Sequence, residues 1–426
     1  MTSKAEIAVE KFLEKTDSEA ASFFEACVHC GICAEACQFH LATGDPKYTP
    51  TYKLRPMERA YKREKAPFSS LKKMLGLAPK PVTEEELIEW GPLVYDSCNM
   101  CARCTLVCPM GIDIAGTISK MRAGYEAAGL APEGLERSVE FVKKTTSPMG
   151  VTIKALSAQI KHQEKATGLK IEVDKQGADY MCTFSSSEIM GYPEVLGAYA
   201  KLFDRAGVSW TISSVAYEAT NVGVQIGSAS LAKEIVTRVV ESAEALGVKA
   251  VISPECGHAY GAIRFAGPNL MGRQYKFEVV HIIEVIDQLR REGKLPAGKK
   301  DARKMTLHDP CQIVRRGGLL KEPRRLLDDS CSNFTEMKYA GKANFCCGGG
   351  GGVSANERAE ELRTEAFSLK VDQLNGVDGL EAVVVPCANC RSVFEDGLDA
   401  YEMDLEVLGL AELVAETLAE PDEKQG

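Results

Sequence analysis

Cysteine spacing constrains this chain more than any other feature, because 13 of its 16 cysteines fall into three short-range patterns. The first two patterns are one run used twice: Cys27, Cys30, Cys33 and Cys37, then Cys98, Cys101, Cys104 and Cys108. The third comprises Cys311, the adjacent Cys346 and Cys347, and finally Cys387 with Cys390. The N-terminal residues are charged throughout and do not resemble a secretory leader, so we expect a reducing compartment. Such tight spacings then predict metal ligands and not disulfides.

Composition and charge narrow the class of protein. A hydrophobic fraction of 45% and a charged fraction of 26% are ordinary for a globular chain, and 426 residues allow two or three domains. The net charge of −9 argues against nucleic-acid binding, because that function needs a basic surface. The sequence holds no run of 18 apolar residues, so we expect no direct membrane span.

The two matching runs have the spacing of ferredoxin-type cluster ligands. Three closely spaced thiolates hold one 4Fe-4S cube, and the fourth cysteine of the run reaches the other cube. We therefore predict two cubane clusters, with ligands as follows: Cys27, Cys30, Cys33 and Cys108 for one, and Cys98, Cys101, Cys104 and Cys37 for the other. Pro109 follows the second run, whereas Gln38 replaces that proline after the first. Two zinc sites are the alternative, although structural zinc favours separated cysteine pairs.

Residue patterns predict a helical region followed by α/β structure. Residues 1–145 hold both runs and are rich in helix-forming side chains, which predicts a helical di-cluster ferredoxin module. Residues 146–178 are typical of a linker with one helix. From residue 179 short apolar strands alternate with amphipathic helices, which indicates a duplicated α/β domain with a parallel or mixed sheet.

An internal repeat divides the α/β region into halves that we predict at residues 179–298 and 299–426. Residues 247–254 and 379–386 match in spacing, and each is a short apolar strand that ends in proline. Upstream, residues 180–184 correspond to residues 305–311 in the same way.

The repeat also suggests which cysteine positions the first half has lost. Aligning the two prolines places Glu255 and His258 opposite Cys387 and Cys390, with Cys256 between them. Cys182 aligns loosely with Cys311. Only the second half is therefore expected to hold a metal cluster.

The third cysteine pattern resembles the CCG domain of the heterodisulfide reductase family. That domain is marked by a cysteine, a distant Cys-Cys-Gly and then Cys-x-x-Cys; here the two gaps are 34 and 39 residues. The resemblance implies a non-cubane 4Fe-4S cluster at which disulfides are cleaved, held by Cys311, Cys346, Cys347, Cys387 and Cys390. A zinc site, or an ordinary cubane that uses four of the five cysteines, is the alternative.

Two further features of this region bear on the chemistry. Five glycines, Gly348–Gly352, follow the cysteine pair, so backbone and substrate could approach closely. Ser354 and Glu357 have the spacing of a capping box, which predicts that a helix begins at Ser354. The dipole of that helix would favour an anionic cluster or a developing thiolate at its N-terminus.

The presence of only one complete CCG motif is similar to the DsrK-like branch of the family, with the archaeal HdrD subunit as a more distant relation. The resemblance implies an oxidoreductase subunit that passes electrons between a membrane-embedded haem b or quinone-reactive subunit and a disulfide or trisulfide. It implies a small cysteine-bearing, DsrC-like sulfur-carrier protein as substrate, in dissimilatory sulfur metabolism. The expected location is cytoplasmic, peripheral on the inner face of the cell membrane through partner subunits. The alternatives are the iron–sulfur subunit of a lactate-, glycolate- or glycerol-phosphate-oxidising system, or a non-catalytic carrier with structural zinc.

Candidate catalytic residues follow from this hypothesis. Cys346 and Cys347 would meet the substrate, and a departing thiolate needs a proton or a positive neighbour. His258 and His308 are candidate proton donors, although a structural hydrogen bond explains either equally well. Cys256 lies at a strand end, where sites form in α/β folds. Basic residues between Arg315 and Arg325, and those of the Lys53–Lys73 stretch, suggest docking surfaces or simply solvated faces.

Overall fold

The computed structural model describes residues 2–420, and the chain forms two compact units. The first unit comprises residues Met1–Val139, Val222–Ala232 and Phe345–Leu369; the second comprises Glu140–Asn221, Lys233–Asn344 and Lys370–Gly426. Each unit is therefore assembled from segments far apart in sequence. The boundaries at residues 145, 178 and 298 stay a prediction, because these units follow spatial compactness and not the repeat.

The first unit is helical. Its α-helices are Lys4–Lys15, Ser18–Ala26, Gln38–Thr43, Pro50–Lys53, Arg55–Glu64, Ser69–Met74, Glu84–Tyr95, Arg103–Val107, Ile114–Ala127 and Val222–Ile226. Short 3-10 turns lie at Ala34–Ala36, Pro46–Tyr48 and Glu357–Ala359. Helices Glu133–Thr145, Ala229–Leu246 and Glu360–Asn375 run across the unit boundaries.

Local sequence explains where the longer helices of this unit begin and how they pack. Ser3 and Thr83 cap their helices through complete capping boxes, which satisfy backbone N–H groups that a helix start would leave unpaired. Gly124 lets helix Ile114–Ala127 press against helix Lys4–Lys15, since a Cβ at this position would lie 2.2 Å from the Phe12 ring. The side chain of Phe12 is fully buried in this contact.

The second unit contains two four-stranded parallel sheets of the same topology. The strands of the first sheet are β1 (Tyr180–Cys182), β2 (Trp210–Ile212), β3 (Ala250–Ser253) and β4 (Glu278–His281). Those of the second are β5 (Asp301–Leu307), β6 (Cys331–Phe334), β7 (Ala382–Val384) and β8 (Glu406–Leu408). Their orders are β2-β1-β3-β4 and β6-β5-β7-β8. The repeat predicted from sequence is thus present as two equivalent sheets.

Helices connect these parallel strands, as parallel pairing requires. Those of the second unit are Ile153–Thr167, Ser186–Gly191, Glu194–Ala206, Gly257–Tyr260, Gly267–Met271, Ile282–Arg291, Glu322–Ser330, Ala388–Ala400 and Leu410–Glu416. A π-helical turn occupies Gly261–Ala266, and a 3-10 turn Gly341–Ala343. The predicted fold class, a helical module followed by duplicated α/β structure, is confirmed. Within residues 2–420 no helix is both long enough and apolar enough to cross a bilayer.

The helix after the glycine run begins later than the capping-box pattern predicts. Ser354 lies in a turn, a 3-10 turn starts at Glu357 after Asn356, and the α-helix starts at Glu360. The predicted start at Ser354 is wrong, because glycines in left-handed conformation continue to Gly352 and keep the chain in tight turns. The dipole of this helix therefore begins thirteen residues beyond Cys347.

Candidate metal centres

The two cysteine runs of the first unit adopt the same local conformation. In the first loop His29 and Gly31 have φ of +52° and +82°; in the second, Met100 and Ala102 have +54° and +60°. Each left-handed pair flanks the second cysteine of its run, so the backbone turns sharply around that thiol. A residue with a side chain pays about 1–2 kcal/mol to adopt the left-handed conformation. Ala102 adopts it nevertheless, which indicates that the loop requires this shape.

One set of four cysteines lines a cavity near the surface of the first unit. This surface cavity is lined by Cys27, Cys30, Cys33 and Cys108. Its rim is open, because Cys30 is exposed and Val28, also in the lining, is 66% exposed. The Cys27 Sγ lies 3.9 Å from Nδ1 of His29, whose Nε2 is 3.8 Å from the Glu58 carboxylate.

The other four cysteines line a cavity enclosed by buried side chains. This interior cavity is lined by Cys37, Cys98, Cys101 and Cys104, so the fourth cysteine of each run lies with the other run's first three. Burial, followed by the neighbouring thiols of Cys101 and Cys98, raises the pKa of Cys104, as expected where several thiols converge. Cys346 belongs to the same lining.

A buried lysine projects into the lining of the interior cavity. Lys53 is 2% exposed, and its Nζ donates to the Ser97 carbonyl and lies 4.0 Å from the Sγ of Cys37. Sequence suggested that Lys53–Lys73 could form a docking surface. For Lys53 that suggestion is wrong, since its ammonium group points inward.

Polar side chains tie the interior cavity to the glycine run. The Gln38 amide donates to Asn99 Oδ1 over 3.1 Å, and the Asn99 amide donates to the carbonyls of Gly348 and Gly350. Gly351 packs against this loop, since a Cβ there would lie 2.9 Å from the Asn99 carbonyl carbon. The glutamine that replaces the usual proline thus helps join the first cysteine run to the segment carrying Cys346 and Cys347.

Arg122 holds the same region together from the opposite helix. Its guanidinium is fully buried and donates to the carbonyls of Val94, Cys98, Gln225 and Gly351. The carbonyl distances for Cys98 and Gln225 are 2.8 and 2.7 Å. Burial lowers the pKa of Arg122, yet arginine stays protonated in proteins. A permanent positive charge therefore lies beside the backbone of a predicted cluster ligand.

The predicted CCG cysteines are divided between the units. Cys346 and Cys347 belong to the third segment of the first unit, whereas Cys311, Cys387 and Cys390 belong to the second. In the second unit Cys311 follows strand β5, and Cys387 follows β7 as the N-cap of helix Ala388–Ala400. All five thiols are buried.

The structure revises which residues of the two halves correspond. Cys256 and Cys387 are both N-cap residues of the helix after the third strand of their sheet, with φ/ψ of −144°/101° and −162°/113°. On this criterion Cys256 is the counterpart of Cys387, and Ala259, not His258, is that of Cys390. The proline alignment was one residue out, because Cys256 lies six residues after the strand start at Ala250, whereas Cys387 lies five after the strand start at Ala382.

The strand registers also correct the position of Cys182. Tyr180 pairs with Ala250 in the first sheet and Met305 pairs with Ala382 in the second. Counting from these pairs, Cys182 matches Leu307, and Ser186 stands opposite Cys311. The alignment of Cys182 with Cys311 is therefore wrong, and Cys182 is a fully buried strand residue.

A second pair supports the corrected correspondence. Arg391, four residues after Cys387, donates to the Glu412 carboxylate at 2.8 Å; Tyr260, four after Cys256, donates to Glu284 at 2.9 Å. Both glutamates lie at the same distance from the start of the fourth strand of their sheets. Each half thus retains one polar tie between corresponding helices.

Buried carboxyl groups lie in the first half, and under the corrected correspondence Glu188 stands opposite Ile313 and Glu255 opposite Pro386. Glu188, Glu218 and Glu255 are each at most 2% exposed. Burial raises the pKa of Glu188 to about 7, and burial with the nearby Glu412 raises that of Glu255 to about 8. The backbone N–H of Ala411 donates to Glu255, and that of Glu255 donates to Glu188.

The loops of the two halves touch where these residues stand. The N–H of Ala388, next to Cys387, donates to the Glu255 carbonyl over 2.8 Å. Gly257 packs against Gln312, next to Cys311, where a Cβ would come within 2.5 Å of the glutamine side chain. Burial, followed by the nearby Cys387 thiol, raises the pKa of Cys256. Cys256 is therefore a close neighbour of a predicted ligand.

The basic residues after Cys311, suggested above as a docking surface, are largely paired with acidic side chains and backbone carbonyls of the same unit. Arg324 forms a bidentate pair with the buried Asp309, 2.9 Å from each oxygen, and Arg325 pairs with Asp287. Arg315 donates to backbone carbonyls, including that of Lys342 at 2.7 Å. These contacts hold the loop that begins with His308 in shape. His308 is buried with its ring 4.7 Å from that of Phe394, and His258 lies in the short helix after Cys256.

Sequence reasoning missed several side chains of these sites. Glu188 carried a signal, because Ser185 and Glu188 have capping-box spacing, and that box is complete. Lys53, Asn99 and Arg122 carried none, since nothing in a helical or loop pattern separates an inward cation from a solvated one.

The donor sets fit iron–sulfur clusters. Each cavity of the first unit offers four thiols of the two runs, the usual ligand set of a cubane cluster, and the interior lining adds Cys346 as a fifth. Within the described residues these cysteines form no disulfides, so their thiols are available as ligands.

Comparison with known proteins gives two domain matches. Residues 23–112 match the family described as a 4Fe-4S dicluster domain, and residues 305–395 match the cysteine-rich domain known as CCG. The matches include all eight cysteines of the two runs and all five of the third pattern.

Similar proteins extend over nearly the whole chain. It is 27% identical to the Hdr-like menaquinol oxidoreductase iron-sulfur subunit of Archaeoglobus profundus, over 97% of this chain and 83% of that protein. It is 27% identical to a subunit of the dihydromethanophenazine:CoB–CoM heterodisulfide reductase of Methanosarcina barkeri, over 92% of this chain and 94% of that protein. It is 28% identical to the EtfAB:quinone oxidoreductase of Syntrophomonas wolfei, over 89% of this chain and 56% of that protein.

The two domain matches and these relatives agree with the thiol cavities and the duplicated parallel sheets. The chain thus carries a 4Fe-4S dicluster domain and a CCG cysteine-rich domain, and over nearly its whole length it is similar to iron–sulfur subunits of heterodisulfide reductase-like oxidoreductases.

Proposed function

We propose that this chain is the iron–sulfur subunit of a membrane-associated complex that carries electrons between a quinone-reactive membrane partner and a sulfur substrate. The observation that carries the proposal is the sorting of eight cysteines into two four-thiol cavities, with Cys346 of the CCG pair in the lining of one. Such a subunit needs two electron-transfer clusters close to the cysteines that would bind the substrate. The relative named as a menaquinol oxidoreductase supports a quinol-linked partner.

The cysteines have separate duties in this proposal. Those of the surface and interior cavities hold two cubane clusters, and Cys311, Cys346, Cys347, Cys387 and Cys390 hold a non-cubane cluster. When bound, these clusters would supply one-electron transfer. The cluster of the CCG cysteines would also offer iron atoms to which the sulfur of a disulfide or trisulfide could bind. The chain itself contributes thiolate ligands, fixed charges and a buried environment that excludes water.

Protons for the departing thiolate must come from the chain or from water. His308 is buried three residues before Cys311, and Cys256 stands beside Cys387 in the second unit. These two, with His258, are the proposed proton-handling side chains. A small cysteine-bearing carrier protein of the DsrC type is the proposed substrate, in dissimilatory sulfur metabolism, and attachment to the inner face of the membrane is proposed to run through partner subunits.

The first test is the metal content of the anaerobically purified full chain. Iron and acid-labile sulfide sufficient for three four-iron clusters are expected, with a Mössbauer spectrum that contains a component distinct from ordinary cubanes. Stoichiometric zinc in place of the third cluster would reject the catalytic role and leave an electron carrier.

The second test addresses the sulfur substrate. Titrating the oxidised protein with a disulfide should produce a paramagnetic signal that is lost in Cys346→Ser or Cys347→Ser but kept in Cys331→Ser. Cys331 is a suitable control because it is equally buried, at the start of β6. A signal that is unchanged in all three variants would contradict disulfide binding at the CCG cysteines.

An electron-carrier function without sulfur chemistry is the second candidate. The match to an EtfAB:quinone oxidoreductase supports it, because that name describes exchange between a flavoprotein and quinone. In that case the three clusters would be present, and the reduced protein would pass electrons to a quinone analogue but never to a disulfide.

A further inference from the structure

Buried cations distinguish the interior cavity from the surface cavity: Lys53 and Arg103 belong to its lining, and Arg122 bonds to the backbone of one of its cysteines. Both cavities offer four cysteine thiols on loops of the same conformation, so the ligands themselves do not differ. What differs is the charge around them. Lys53 reaches the Cys37 Sγ at 4.0 Å, and Arg122 donates to the Cys98 carbonyl at 2.8 Å.

Within the described residues neither Lys53 nor Arg122 forms an ion pair with a carboxylate; Asp96, which acts electrostatically on Arg122, is itself paired with Arg358. Lys53 is bonded to the Ser97 carbonyl and lies against the rings of Phe39 and Tyr48, at 5.5 and 5.8 Å from their centroids. Arg122 is surrounded by backbone carbonyls. A buried cation needs a compensating negative charge, because isolated charges are costly to bury. A cluster with anionic thiolate ligands supplies that charge.

The surface cavity has the opposite surroundings. Its lining contains neither lysine nor arginine. Its histidine, His29, has its Nε2 3.8 Å from the Glu58 carboxylate. Solvent at the exposed Val28 and Cys30 also screens charges there, whereas most lining residues of the interior cavity are buried.

We propose that Lys53 and Arg122 act as fixed positive charges that raise the reduction potential of the interior cluster above that of the surface cluster. Each reduction adds one electron to a cluster, and a nearby cation favours the more negative state. An electron that arrives at the surface cluster from a one-electron donor then passes to the interior cluster, which is reduced as the first is oxidised. The inference rests on the proposed function, because it requires both clusters.

Hydrogen bonds also join the loops of the interior cavity to the segment that carries Cys346 and Cys347, which suggests where the electron would go next. Asn99 and Gln38 link the loop of Cys98 to the glycines after Cys347, and Cys346 lines the interior cavity. Cys346 thus lies in the lining of the interior cavity and not in that of the surface cavity, so a cluster bound in the interior cavity would be the one beside the cysteine pair. Lys53 and Arg122 would therefore act on the reduction potential of the cluster through their charge, and not by contact with a substrate.

The test is an anaerobic redox titration of the full chain, followed by electron paramagnetic resonance. Signals are assigned with Cys30→Ser for the surface cluster and Cys104→Ser for the interior cluster. In Lys53→Met the ratio of reduced to oxidised interior cluster at a fixed potential should fall about tenfold, a shift of about 59 mV for a one-electron couple. The surface cluster should keep its potential.

Two controls separate charge from folding. Lys53→Arg keeps the cation and should restore most of the potential, whereas Lys161→Met removes an exposed lysine of the second unit and should change neither cluster. A wild-type surface cluster with the higher potential, or a Lys53→Met variant that moves both clusters equally or neither, would overturn the inference. Absence of cubane clusters would instead overturn the proposed function.

An independent observation concerns the surface of the first unit around helix Ser69–Met74. Five apolar side chains within ten residues are exposed there: Phe68 (76%), Leu71 (47%), Met74 (75%), Leu75 (58%) and Leu77 (71%). Lysines flank and interrupt them, at Lys65, Lys72, Lys73 and Lys80. This apolar segment, residues 68–77, is locally basic although the chain carries a net charge of −9.

We infer that the apolar segment contacts an anionic lipid surface. Exposed apolar side chains with interspersed lysines are typical of chains that lie in a membrane interface, where the ammonium groups reach the head groups. Protein–protein interfaces, by contrast, are depleted in lysine. A fold-embedded contact of this kind would hold the subunit against the bilayer in addition to any partner subunit.

Vesicle flotation tests this contact with the purified full chain. Binding to vesicles of phosphatidylglycerol should exceed binding to phosphatidylcholine about tenfold and weaken with added salt. The double variant Phe68→Ser with Met74→Ser should lose it. The control Met190→Ser with Val215→Ser removes two apolar side chains that are also exposed, at 53% and 58%, but lie outside the apolar segment, and it should bind like the wild type. No flotation, or attachment that appears only with a co-purified membrane protein, would overturn the lipid contact.

Discussion

The two sheets of the second unit share strand order and pairing, yet they differ in the chemistry at the ends of their strands. The second sheet carries Cys311, Cys387 and Cys390, and the first carries Ser186, Cys256 and Ala259 at the corresponding positions. The strands and the polar tie between helices persist in both halves. The difference teaches that the sheet topology and the polar tie do not require three cysteines at these positions, because the first half keeps both features with Cys256 alone.

The largest contrast should appear when the paired N-cap cysteines are removed in turn. Cys387→Ser should cost about a third of the bound iron, because it removes a ligand of one of three proposed clusters. Cys256→Ser should leave iron unchanged and at most alter the reaction with a disulfide. Iron analysis with Mössbauer spectroscopy measures both. Equal losses in the two variants would make Cys256 a ligand and erase the contrast between the halves.

The polar ties should differ in strength between the halves. Arg391→Met should destabilise the protein by about 3–5 kcal/mol, because it leaves Glu412 buried without its cation. Burial already raises the pKa of Glu412, which shows that the carboxylate is poorly solvated there. Anaerobic urea unfolding of the metal-loaded protein gives the free energy. A loss below about 1 kcal/mol would show that the pair is screened like a surface ion pair.

Buried acids should make the stability of the first half depend on pH. The pKa of Glu188 is raised to about 7 in the folded chain from an ordinary value of 4.5, so folding favours the protonated form. Its contribution is therefore fully present below pH 4.5, is lost as the pH rises toward 7, and is constant above that. The loss is on the order of 3 kcal/mol.

Glu188→Gln should flatten the fall in unfolding free energy between pH 5 and 7, measured by urea unfolding at several pH values. The register places Glu188 opposite the buried Ile313, so the second half has no acid at this position. Ile313→Val is the matched control, and its pH profile should run parallel to that of the wild type. A wild-type profile without any slope in this range would contradict the raised pKa.

The smallest effect is expected at the counterpart of Arg391. Tyr260→Phe removes one hydrogen bond to Glu284, which keeps Arg264 as a partner at 2.9 Å. We expect a cost of about 1 kcal/mol. Thermal unfolding compared with Tyr339→Phe, an exposed tyrosine of the same unit, measures it. A cost as large as that of Arg391→Met would mean that the two ties are equivalent after all.

Short-range patterns predicted much of this protein, because cysteine spacing and strand alternation act locally. The eight cysteines of the two runs, the repeat and the order of helical and α/β regions all follow from such patterns. The residue-level alignment of the halves did not, since one extra residue before Cys256 changes the register without changing the strand pattern. Long-range contacts were equally hidden: in the sequence Lys53 is one more charge in a basic stretch, and Arg122 is part of an amphipathic helix.

Arg122 also has a consequence for biosynthesis. Its partners Gln225 and Gly351 lie 103 and 229 residues downstream, so residues 1–139 leave the ribosome long before the guanidinium can be satisfied. At a synthesis rate of about 5–20 residues per second, the nascent helical segment waits for at least about ten seconds in an incomplete state. A fragment that ends after the second cysteine run should therefore accumulate as an unstable intermediate, and cofactor loading should become durable only after release of the C-terminal segments.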